Sequence, residues 1–251
     1  MNRLAEQGFA RAAEDYARAR PSYPPAAIDW LREQAQLTSE SAVLDLGAGT
    51  GKLTALLTGL GRVIAVEPVA EMRAELAKLP FVEAREGKAE AIPLAEGQVD
   101  AVTIGQAFHW FATKPVLTEL HRVLRPRGQL ALLWNRWDRS VGWADALKTL
   151  TAPYDQLRPQ YESGTWKAAF EGQQLFGPLR SATFANPHPL SPEDVIARMA
   201  STSTIAVLPP PEREALFRKL REVLATHPDT VGRGQLPVPY LTEVWVSQRQ
   251  E

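Results

Sequence analysis

The segment VLDLGAGTGKLT (43–54) restricts the chain more than any other: an apolar strand runs into Gly47, Gly49 and Gly51 at alternate positions, then into a helical pattern. Glycine reaches φ > 0 and carries no Cβ, so a ligand can lie against the backbone where strand turns to helix. Asp45 stands at the strand's end, placed either to fix the loop by accepting backbone N–H bonds or to meet a ligand's ammonium group. Spacing sorts the ligands such a loop can carry. A P-loop needs glycine five residues before Gly51 and a hydroxyl residue after Lys52, where the chain has Leu46 and Leu53. A dinucleotide fingerprint needs Gly or Ala where Lys52 stands, and Asp45 would set an anion beside the pyrophosphate. A ligand that joins an amino acid to a sulfonium, without phosphate, suits the loop better.

The pattern around the loop extends this reading. Short apolar runs at AVLDL (42–46), RVIAVE (62–67), FVEAR (81–85), VDAVTIG (99–105) and QLALLW (129–134) read as buried parallel strands. Amphipathic stretches at Leu53–Leu60, Val69–Leu79 and Pro115–Leu124 separate them and predict covering helices. Glu67 ends the second strand about 20 residues beyond the loop, where an acid receives ribose hydroxyls. Its alternative is a solvated strand-end carboxylate. After Trp134 an aromatic- and proline-rich stretch (Trp137, Trp143, Tyr154, Tyr161, Trp166, Phe170) precedes strands expected at Leu179–Ala185 and 240–247, with helices at Pro192–Ser201 and Glu212–Ala225 between.

The expected architecture is therefore an α/β, doubly wound, mostly parallel seven-stranded sheet with helices on both faces, with any ligand at the carboxyl ends of its strands. Residues 1–24 are expected to form a lid helix, 25–137 the cofactor-binding core, and 138–251 cap helices plus the last two strands of the same sheet. Phe9, Ala13, Tyr16 and Ala17 share one face of the predicted lid.

Composition narrows the function classes. A net charge of -1 lacks the positive field that draws proteins to phosphate backbones, so nucleic acid is not expected as a partner. The absence of cysteine removes thiolate nucleophiles, disulfides and cysteine-ligated metals, and fits a cytoplasmic setting. No run approaches the length of a membrane span and no signal peptide is evident, so no membrane partner is expected. The four histidines lack metal-ligand spacing, and no metal is expected. Oligomeric state is not legible.

The pieces LDLGAGTGKLT (44–54), AVEP (65–68), EGKAEAIPL (86–94), VDAVTIGQAFHWF (99–111) and HRVLRPRGQLALLWN (121–135), with ARARPSYP (17–24) ahead of them, resemble the class I S-adenosylmethionine-dependent methyltransferases with a Rossmann-like fold. The likeness is to the small-molecule branch that includes trans-aconitate-type enzymes. The resemblance implies S-adenosylmethionine as cofactor. It sets the methionine part against Asp45, Gly47, Ala48 and Gly49, the ribose on Glu67, and the adenine near Pro68, Met72, Ala89 and Glu90. Many relatives have Asp where this chain has Lys88, so the Ala89 backbone is the expected adenine contact. Gln106, Ala107 and His109 would border the sulfonium.

His109 is then the candidate general base, the alternative being a ring packed among aromatics. Trp110 and Phe111 read as pocket walls or core, and His121 as structural. Tyr16, Arg20 and Tyr23 read as lid residues. Arg20 is a candidate partner for a cofactor or substrate carboxylate, and Arg136 and Arg139 are candidates for holding an anionic acceptor. The expected reaction is methyl transfer to a small-molecule acceptor, with O-methylation of a carboxylate or hydroxyl favoured. A nicotinamide-dependent (NAD) oxidoreductase shares strand, glycine loop and acid, and stands as the alternative. A cofactor-binding regulator without turnover is the third reading.

Overall fold

The computed structural model describes residues 20–155 and 161–251; the predicted lid, Tyr16 included, lies outside them up to residue 19. Helix α1 (Pro25–Gln34) opens on a proline, whose missing N–H costs nothing in a first turn, and buries Ala27, Ile28 and Leu31. Strand β1 (Ala42–Leu46) is buried along its whole length, as a strand covered on both faces must be. The chain then continues through β2 (Arg62–Val66), helix α2 (Ala70–Leu76), β3 (Val82–Arg85), β4 (Val99–Gly105) and helix α3 (Lys114–Val123) to the long β5 (Leu124–Trp137). Thr113 caps α3 by accepting the Val116 N–H, with proline in the first turn.

Beyond β5 come α4 (Gly142–Asp155), β6 (Arg180–Ala185), β7 (His188–Leu190), α5 (Pro192–Ala200), α6 (Ser203–Ala206), α7 (Pro210–Thr226), β8 (Leu236–Val238) and β9 (Tyr240–Gln248). Seven strands form one sheet in the order β3-β2-β1-β4-β5-β9-β6. Its first five strands are parallel, while β9 runs antiparallel to both β5 and β6. The two late strands thus join the sheet, as the sequence predicts. Strand order reverses between β1 and β4, and the carboxyl ends of strands diverge there to leave a crevice.

Alternate side chains separate the faces. Leu44, Leu46, Ile64, Val66, Val102, Ile104, Leu130 and Leu132 pack with Val116, Leu117, Leu120 and Val123 of α3. On the other face Ala131, Leu133, Val244 and Val246 meet α1. A separate cluster, including Trp143, Leu147, Val195, Leu216, Leu220 and Leu236, holds α4, α5 and α7 against the small β7–β8 pair.

Three local expectations need correction. The predicted helix over Leu53–Leu60 is only a 3-10 turn, Thr54–Leu57, because Thr54 is tied to Asp45 and Gly59 turns the chain away at φ +83. Helix α2 is shorter than its apolar pattern, ending at Leu76. Helices α1 and α4 and the β7–β8 pair add to the predicted set.

Candidate active site

The glycine loop leaves β1 with Gly47, Gly49 and Gly51 at φ +68, +57 and +86, a region closed to most side chains. The N–H groups of Gly47 and Ala48 both donate to the Val66 carbonyl, at 2.8 and 3.2 Å, and pin the loop to the end of β2. Glu67, the residue immediately after β2, is buried at 5% exposure. Its carboxylate accepts the Gly49 N–H at 2.9 Å and the Val69 N–H at 3.0 Å. The solvated alternative for Glu67 is therefore overturned. Burial raises its pKa, with the two backbone bonds acting against the rise.

Asp45 lies below the loop at 1% exposure. Thr54 donates to one carboxylate oxygen at 2.5 Å and Thr103 to the other at 3.1 Å. Even so, loss of water dominates, and its pKa is pushed up to about 6, with the Glu67 charge adding to the rise. The hydroxyls of Thr54 and Thr103 are joined by the Thr54 backbone N–H, so the carboxylate ties down the end of the loop segment as the sequence suggested.

A cavity of about 300 Å³ opens over these two acids. Every residue assigned to cofactor contact by resemblance lines it: Asp45, Gly47, Ala48, Gly49, Glu67, Pro68, Met72, Ala89, Glu90, Gln106 and Ala107. Gln106 stands at φ +59, a strained conformation for a side-chain-bearing residue, kept by its N–H donating to Leu133 O and its side chain to Asn135 O. Those bonds lock the end of β4 to β5 where the cavity begins.

Arg20 and Tyr23 also reach the wall. Asn135 and Asn186 donate to the Ser22 carbonyl at 3.1 and 2.7 Å, fastening the chain around Ser22 to the sheet. Tyr23 is buried and presses on Gly105, where an added Cβ would come within 2.5 Å of its hydroxyl. Of the two arginines proposed to hold an anionic acceptor, Arg136 lines the cavity but is paired with Glu243, and Arg139 is paired with Asp145 away from the lining. Both charges are already engaged, so that expectation is revised.

His109 and Trp110 face the cavity, as does the largely buried Phe111. The Trp134 indole N–H donates to His109 Nδ1 at 3.1 Å. A neutral imidazole that accepts at Nδ1 carries its proton on Nε2, so that nitrogen is a donor. Trp134 also stacks on Tyr161 at 4.3 Å; Tyr161 donates to Glu243 and accepts from Trp245. Burial, then the Glu243 carboxylate, raise the Tyr161 pKa and keep the phenol protonated. Sequence reasoning had not placed Trp134, Tyr161, Lys52 or Arg198 at the site. His121 lies away from it, against Gln250 O and Arg249, in a structural setting.

A doubly wound sheet with an antiparallel last pair, a glycine shelf and an acid at the second strand's end defines the scaffold of a class I methyltransferase. Comparison with known proteins agrees. A family profile described as a methyltransferase domain matches residues 44–132. An uncharacterized methyltransferase-like protein of Schizosaccharomyces pombe is 36% identical over 96% of this chain and 95% of its own. An uncharacterized methyltransferase of Mycobacterium tuberculosis is 38% identical over 93% and 92%. A solved structure from Anaeromyxobacter dehalogenans, assigned as a type II methyltransferase, shares the fold with a TM-score of 0.67 at 20% identity, covering 92% of this chain and 97% of that one. The chain belongs to the methyltransferase family, and the oxidoreductase alternative is set aside.

Proposed function

We propose that the protein binds S-adenosylmethionine over the glycine loop and methylates a small acceptor, at a carboxylate or hydroxyl oxygen. The observation that carries this reading is the pairing of two buried acids with one side-chain-free shelf. Asp45 suits the cofactor's ammonium, and Glu67 has oxygen lone pairs left for two ribose hydroxyls. Met72, Ala89 and Pro68 supply an apolar slot for the adenine. When bound, the cofactor supplies a methyl group on a positively charged sulfur, open to in-line attack.

The chain's own contribution is alignment and exclusion of water. Gln106 and Ala107 fix the edge of the shelf, while Trp110, Trp134 and Tyr161 wall the space beyond it. His109, held by Trp134, offers an Nε2 proton that can orient an acceptor oxygen; a carboxylate acceptor needs no base, and a hydroxyl acceptor would release its proton to water as the methyl transfers. Arg20 and Tyr23, with the cap residues Met199, Thr202 and Ile205, complete the wall.

Calorimetry tests the cofactor reading: S-adenosylhomocysteine should bind and NAD should not. Glu67→Ala should lower that affinity by about 1–3 kcal/mol, the usual cost of deleting a charged hydrogen-bond partner. Unchanged affinity in the variant removes the proposed ribose contact. For His109, substitution by Asn should lower kcat/KM while leaving the acid limb of the pH profile in place, since a donor contributes no titrating base. An acid limb that vanishes in the variant restores the base role.

A further inference from the structure

Two cations on the cavity wall have no anionic partner among the described residues. Lys52 follows the glycine loop, Arg198 comes from α5 in the cap, and both line the cavity. Among the described residues neither side chain has a hydrogen-bond or salt-bridge partner, and the Arg198 Nε is buried and unsatisfied. His188, at the start of β7, likewise has a buried Nε2 with no partner. Lys52 and Arg198 both act on His188, after burial, to disfavour its charged form, and burial followed by Arg20 does the same to Lys52. The fold therefore brings Arg20, Lys52 and Arg198 around an uncharged His188 in a partly desolvated space, an arrangement of like charges that Coulomb repulsion opposes. An anion entering that space would reverse the sign of the interaction.

We propose that Lys52 and Arg198 form an anion subsite that takes a carboxylate or phosphate group of the methyl acceptor and bridges the core to the cap. This rests on the cofactor reading above. The competing source of the anion is the cofactor's own carboxylate. That group is bonded to the carbon bearing the ammonium, so it stays beside Asp45 and the loop. Arg198 is carried by the cap, on the side left for the acceptor. Arg136 and Arg139 cannot substitute, since Glu243 and Asp145 already neutralise them.

The full-length protein, saturated with S-adenosylhomocysteine, is titrated calorimetrically with glutarate, with inorganic phosphate and with neutral glutaramide. Glutarate or phosphate should bind, and glutaramide should not. Lys52→Met and Arg198→Met should each lower anion affinity about 10-fold or more, while Arg198→Lys keeps most of it. Affinity for S-adenosylhomocysteine itself should stay within about threefold in both Met variants. Removing one of two like charges relieves repulsion, so both variants should melt no lower than wild type, which separates a lost subsite from lost folding. The proposal is overturned if neither anion binds, if the Met variants bind the anions as wild type does, or if the loss falls on S-adenosylhomocysteine instead, which would make the cofactor's carboxylate the occupant. If wild type fails to bind S-adenosylhomocysteine, the cofactor reading falls, and the same titrations on unloaded protein still decide the subsite.

Discussion

Asp45→Asn should melt above wild type at pH 7.5 when no ligand is present, and should bind S-adenosylhomocysteine about 10-fold more weakly or worse. Burial moves the Asp45 carboxyl from 3.8 to about 6, so ionising it inside the folded protein is unfavourable. At about 1.4 kcal/mol per pH unit the difference is about 3 kcal/mol, an upper figure because Asn accepts less well from Thr54 and Thr103. The folded form holds its proton more tightly than the unfolded one. The contribution is therefore fully present below pH 3.8, declines as pH rises to about 6, and is absent above it. Asn has no such proton to lose. The variant's advantage should be near zero at pH 3.5 and reach its plateau above pH 6, a rise in Tm of about 5–10 °C for a chain of this size. A variant that melts lower at pH 7.5, or one whose advantage is the same at both pH values, contradicts the assignment. The physical meaning is that the unliganded site holds a destabilised charge, which a ligand's ammonium would relieve.

Much of this site was legible because it lies where local pattern and geometry coincide. Asp45, the three glycines and Glu67 sit at strand ends, and period and turn chemistry locate strand ends from sequence. The sheet followed for the same reason, down to its two late strands. What escaped was decided by long-range packing. Tyr161 reaches the cavity by packing against Trp134 and Trp166, and Arg198 through the packing of α5 on α7, neither of which local periodicity records. Lys52 was read only as an obstacle to a dinucleotide loop. The roles assigned to Arg136 and His109 turned on partners far along the chain, Glu243 and Trp134, while Arg139 was claimed by the nearby Asp145. Likewise the Leu53–Leu60 pattern has helical spacing, yet Thr54 prefers the buried Asp45 carboxylate and Gly59 ends the turn.

Substituting alanine at Gly49 and at Gly51 should split ligand binding from stability. Gly51 stands at φ +86, and a Cβ there would come 3.0 Å from Leu76 Cδ2 and 3.2 Å from Leu79 Cδ1. Left-handed backbone costs an alanine about 1–2 kcal/mol, and forcing Leu76 and Leu79 aside adds about 1–3 kcal/mol. Gly51→Ala should therefore unfold at distinctly lower denaturant concentration. Gly49, at φ +57, pays only the backbone part, because among the described residues the nearest atom to its Cβ is Met72 Sδ at 4.0 Å. Since Gly49 lines the cavity and no atom of the described residues fills that space, the added methyl should enter the volume proposed for the ligand. Gly49→Ala should lose S-adenosylhomocysteine affinity about 10-fold or more while losing only about 1–2 kcal/mol of stability. Denaturant midpoints and calorimetric affinities, measured on both variants, check the contrast. If Gly49→Ala binds as wild type does, the ligand does not approach the backbone there, and the loop is a structural turn whose glycines answer only to the helix behind it.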